Sequence, residues 1–161
     1  MSATSCYVFA AEPGGLNYMQ LIDACCALGT KMSVVVRDPK ATQGLPIERT
    51  LRRLSEFRSG DALVREWPGT ILLADYARIY WHTVGPGLAE CLQELASNLF
   101  EWVHPEFPED VCFYRADDSP ILVTISHEKE AYLLLKDADL RVLRARTPQL
   151  ASCIKYEGGD V

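Results

Sequence analysis

The sequence predicts an α/β or α+β fold, a mixed β-sheet of about five to six strands with helices packed against it. Three observations predict it. Segments rich in β-branched and aromatic residues alternate with segments of helical apolar spacing along the whole chain. Hydrophobic residues make up 48% and charged residues 24% of the 161 residues, the balance of a chain that buries a core and not of a disordered one. No repeat, low-complexity tract or linker interrupts the pattern, so residues 1–161 read as a single globular domain with no tail beyond a few terminal residues.

Ser5–Ala10 is a first strand and Glu12–Pro13–Gly14–Gly15 a tight turn. Leu16, Met19, Ile22 or Asp23, and Cys26 then recur at helical spacing, with Gly29 as the stop. Met32–Arg37 is a second strand, ended by Asp38–Pro39. Strand, helix, strand predicts a right-handed parallel βαβ unit. After a loop over 38–46, Ile47, Leu51 and Leu54 form the apolar side of a helix, and Arg49, Arg52, Arg53 and Arg58 its basic side. Ser59–Gly60–Asp61 breaks it. Thr70–His82 is strongly β-like, either one bent strand or two meeting near Asp75, where a bulge would re-aim the carboxylate.

Leu88, Cys91 or Leu92, Leu95, Leu99 and Val103 predict a helix of roughly four turns, closed by His104–Pro105. Val111–Arg115 and Ile121–Ser126 are two strands joined by a five-residue link. Ser126 is placed to cap a helix, and the wholly apolar Ala131–Leu135 is assigned to it. Leu140–Ala145 is assigned to a strand, and Thr147–Pro148 starts a last helix that Gly158–Gly159 stops.

Charge is the most informative global property. The chain has net charge −6, and residues 90–118 hold 8 acidic and 1 basic side chain, net −7. A nucleic-acid binder needs a basic surface, so no nucleic-acid partner is expected. Apolar runs fall short of the ~18 residues of a membrane span. The start Met1–Ser5 lacks the basic region of a secretory signal, and Cys6, Cys25, Cys26, Cys91, Cys112 and Cys153 lie within apolar patterns, without metal-ligand spacing. The expectation is a cytoplasmic, bacterial protein with reduced thiols, no metal and no cofactor.

Catalytic signatures are thin. Glu12–Gly15 lacks the glycine spacing and the lysine of a phosphate loop, and Glu12 repels anions. Glu101 and His104 make one Glu-x-x-His, where a di-metal bundle needs two. A site built from His82, His127, Asp75 and Cys112 is the enzymatic alternative, a small hydrolase or transferase. The stretch from 101 to 118 carries more weight. Glu101, Trp102, Glu106, Phe107, Glu109, Asp110, Asp117 and Asp118 join aromatic anchors to steering charges, as a surface for a basic protein partner requires. The favoured function is an acidic immunity or inhibitor-type protein that neutralises such a partner, for instance a toxin domain. A homodimeric adaptor is the third reading.

Overall fold

A computed structural model describes residues 3–40 and 42–159. Ala41, inside the expected 38–46 loop, and the terminal residues 1–2 and 160–161 lie outside the described residues. The chain runs β1 (Ser5–Phe9), α1 (Leu16–Leu28), β2 (Lys31–Val36), α2 (Pro46–Arg53), β3 (Arg58–Val64), β4 (Glu66–Trp67), β5 (Thr70–Ile71), β6 (Ala77–Thr83) and α3 (Leu88–Leu95). It continues with β7 (Glu109–Tyr114), β8 (Pro120–Ile125), β9 (Glu130–Leu135), α4 (Asp137–Arg146), α5 (Pro148–Ser152) and β10 (Ile154–Gly159). Eight strands form one sheet in the order β10-β1-β9-β8-β7-β2-β6-β3, and β4 and β5 form a separate hairpin. Among the described residues no helix is long and apolar enough to cross a membrane.

The architecture is α+β, with more strands than expected and with every pairing antiparallel. β1 and β2 do point the same way, but β9, β8 and β7 lie between them, so they form no parallel pair. The three later strands pair locally and fill the gap that the α1 crossover spans.

All five helices lie on one face. Their buried residues, Leu21 and Ile22 of α1, Ile47 of α2, Leu92 of α3, Leu143 of α4 and Leu150 of α5, share one core with Met32, Val34, Val111, Phe113, Leu122 and Leu133 of the sheet. Strand side chains alternate between faces. Val35, Ile79 and Ala77 therefore point the other way, where Trp67 of the β4–β5 hairpin covers them. Gly69 at the hairpin turn has φ +85, and a Cβ there would meet Ile125 Cγ1 at 2.9 Å, so the turn lies directly on the sheet.

Four expectations are corrected. Residues 130–135 are strand, paired with β8 and β1. Buried Leu133 and Leu135 face the helices and Leu134 the other side, so both faces are apolar and no period is visible. Residues 137–146 are helix, where the Asp139 carboxylate accepts the Lys136 N–H at 2.8 Å. Arg58–Val64 is an edge strand, with a register shift between Arg58 and Gly60 in place of a break. Gly158 and Gly159 end a strand, since the last helix stops at Ser152.

The 70–82 region is two strands with Asp75 exposed between them at φ 63. The consequential bulge is elsewhere. The β2–β7 register shifts between Ser33 and Val35, and Asp110, opposite that shift, has φ 57.

Candidate functional site

Two depressions share Tyr132 in their walls. One, of about 800 Å³, runs beside the hairpin between Trp67, Pro68, Ile71, Val123 and Leu134. The other, of about 600 Å³, lies at the ends of β1, β9 and β10. Its wall includes Phe9, Phe100 and Tyr132 together with the carboxylates Glu12, Glu130 and Glu157 and the ammonium of Lys129.

This second pocket is built by contacts that the sequence does not announce. The Glu12–Gly15 turn docks on the segment after α3. Gly15 N–H donates to Ser97 O at 2.9 Å, Leu99 N–H to Pro13 O at 3.0 Å, and Gly14 forms an isolated bridge with Asn98. A Cβ on Gly14 would meet Asn98 Nδ2 at 2.9 Å, so the turn and the Asn98 side chain lie in close approach. Docking interrupts the expected helix from 88 to 103. α3 ends at Leu95, Ala96 is extended, and Asn98 Oδ1 accepts the Phe100 N–H at 2.9 Å to start a 3-10 turn, Leu99–Glu101. The break carries Phe100 to the pocket wall beside Glu12.

The opposite wall hangs from Asp110. This side chain is wholly buried. Its Oδ1 accepts the Ser126 N–H at 2.8 Å and its Oδ2 the Trp67 Nε1–H at 2.8 Å, while its own N–H donates to Ser126 Oγ at 3.0 Å. Asp110 thereby fixes the turn Ser126–Lys129, whose end presents Lys129 and Glu130 to the pocket. Arg37 supplies the countercharge. Its Nε donates to Glu109 Oε2 at 2.6 Å, and its Nη2 reaches Asp110 at 3.4 Å and His127 Nδ1 at 3.0 Å. Glu109, Asp110 and His127 are near enough together to ligate a cation. The guanidinium of Arg37 already answers all three, so an ion would have to displace it.

Among the described residues none of Glu12, Glu130 and Glu157 forms an ion pair, and Glu157 accepts from the Cys6 thiol at 3.9 Å. Three carboxylates in one wall attract a cation, and the aromatic side chains beside them supply apolar surface for its stem. A guanidinium or ammonium group fits that chemistry; an anion does not.

The eight residues expected to form one acidic surface are scattered. Trp102 is in the core, bonded to Tyr18 and packed on Phe107 at 5.1 Å. Glu109 and Asp110 are buried and paired with Arg37. Glu101 is exposed and holds Ser97, and Glu106 is exposed in the loop before β7. Asp117 and Asp118 lie past the far end of β7, a strand roughly 17 Å long, and Asp118 pairs with Lys31.

The enzymatic set is not assembled either. Met32 pairs with His82 and Ser33 with Cys112 in adjacent registers, which places His82 and Cys112 on opposite faces of the sheet. His127 is exposed beside Arg37, and Asp75 lies on its separate loop. Burial pushes the Cys112 thiol up to about 12, away from a reactive thiolate. Cys26 is likewise held at about 12 by burial and by the charges of Asp23 and Glu90.

No family model, no curated protein and no solved structure matches this chain.

Proposed function

We propose that the protein is a small acidic binding protein that neutralises a basic protein partner, in the manner of an immunity or inhibitor protein, and that it receives a cationic side chain of that partner in the pocket of Glu12, Glu130 and Glu157. The observation that carries this reading is the pocket itself: three carboxylates that form no ion pair among the described residues, one each from the loop after β1, from β9 and from β10, in one wall with Phe9, Phe100 and Tyr132. Arginine suits it best, because a planar guanidinium can stack on a ring while it bonds carboxylates in its plane. Lys129 at the rim keeps the pocket from being purely acidic and favours a ligand with a defined approach. The net charge of −6 steers a basic partner from a distance.

The test is co-purification from the native source, with the parent and with the combined variant Glu12→Gln, Glu130→Gln, Glu157→Gln. These side chains are exposed, so the fold is expected to survive. A stoichiometric basic partner held by the parent at low salt, released at high salt and absent from the variant supports the reading. A partner retained equally by both chains overturns it.

A further inference from the structure

We propose that the chain forms a two-fold symmetric dimer by pairing β3 with the same strand of a second copy. β3 ends the eight-stranded sheet opposite the edge that carries the acidic pocket. Among the described residues no strand therefore lies beside its outer row of backbone groups. Edges of this length are usually blunted by charged residues, proline, a bulge or a covering segment. β3 has its register shift at the Arg58–Gly60 end, and beyond it Asp61, Ala62 and Leu63 are exposed with Asp61 the one charge and no proline.

The second copy is specified by the sequence Asp61–Ala62–Leu63–Val64–Arg65, which is complementary to itself when reversed. Antiparallel pairing centred on Leu63 sets Leu63 against Leu63 of the partner subunit and Ala62 against Val64 of the partner subunit within β3, and brings Asp61 towards Arg65 of the partner subunit, the bend residue that follows the strand. Opposite residues of an antiparallel pair lie on the same face, so each apolar contact and each charge pair has its counterpart within reach. Centring on Asp61 would oppose two carboxylates, so charge favours the register centred on Leu63 over that one. Leu63 is 52% exposed in the single chain. Arg65 is held at this edge by stacking on Tyr76 at 4.6 Å, and Asp61 by Arg78 at 2.5 Å. Leu72 N–H donates to Arg65 O at 2.7 Å, which brings the neighbouring Leu73, 97% exposed, to the end of the same edge. An isologous contact of this kind closes at two chains and does not propagate.

Sedimentation velocity across the micromolar range tests it, with circular dichroism to confirm that each variant is folded. The parent is expected at twice the chain mass of 18.0 kDa. Asp61→Arg alone opposes two cations at each pair, and Arg65→Asp alone opposes two carboxylates. Each is expected to weaken dimerisation by roughly tenfold or more. An equimolar mixture of the two variants restores opposite charges at both pairs and is expected to form a heterodimer. Leu63→Asp, at the axis, is expected to give a monomer by a separate route. A parent that is monomeric throughout, substitutions that leave its dimer unchanged, or a mixture that stays monomeric overturns the proposal.

Discussion

Asp110 and His82 are both fully buried polar side chains, and they are opposite cases. Asp110 is saturated: two oxygens accept from Ser126 and Trp67, and Arg37 balances the charge. This keeps a non-glycine residue at φ 57. Among the described residues His82 has no hydrogen-bond partner on either ring nitrogen; the backbone of Met32 and Tyr80 lies close by but out of bonding geometry. Burial, and then the charge of Arg58, pushes its pKa down to about 4 from 6.5. Between those values the unfolded chain binds a proton that the folded chain refuses. The contribution of His82 to stability is therefore complete above pH 6.5 and is lost as pH falls toward 4, by roughly 3 kcal/mol in all. Urea denaturation at a series of pH values should show this slope in the parent and a flatter one in His82→Leu between pH 6.5 and 5. An identical slope in both would place the titration elsewhere.

At the scale of elements, α3 separates what a local pattern can tell from what it cannot. The stripe Leu88, Leu92, Leu95, Leu99 is continuous in sequence, and all four residues do pack in the same core. The chain nonetheless leaves the helix after Leu95, because the Glu12–Gly15 turn binds residues 97–99 from a distance. Leu92 is fully buried, whereas Leu95 sits half-buried at the helix end. Leu92→Ala should cost roughly 2–5 kcal/mol through lost burial and a cavity. Leu95→Ala should cost about 1 kcal/mol, within the ordinary range for a partly exposed site. Equal losses in chemical denaturation would show that the helix continues past Leu95. The exchange of strand and helix over 130–146 has a related cause. Leu133, Leu134 and Leu135 are buried on both faces of a central strand, which removes alternation, and the arginines of 140–146 lie on the exposed side of a short helix. The early elements were legible because each has a clear stop: α2 shows one apolar face, and β2, buried on both faces, is marked by its run of β-branched valines, Val34–Val36.

At the scale of the molecule, the acidic character was legible and its location was not. Residues 90–118 hold most of the surplus charge, yet β7 buries Glu109 and Asp110 and carries Asp117 and Asp118 away from Glu106. Neutralising all five together would thus remove buried ion-pair partners as well as surface charge. The pocket draws one carboxylate each from the loop after β1, from β9 and from β10. Only the antiparallel order β10-β1-β9 brings these together, and no local spacing encodes that order. The most direct test of the central claim uses a single cationic side chain as probe. In an NMR titration, N-acetyl-arginine amide should shift the resonances of Phe9, Phe100 and Tyr132 saturably, while the uncharged citrulline analogue leaves them in place. The combined variant Glu12→Gln, Glu130→Gln, Glu157→Gln should abolish the arginine shifts. Equal shifts with arginine and citrulline, or shifts that persist in the variant, would contradict the account.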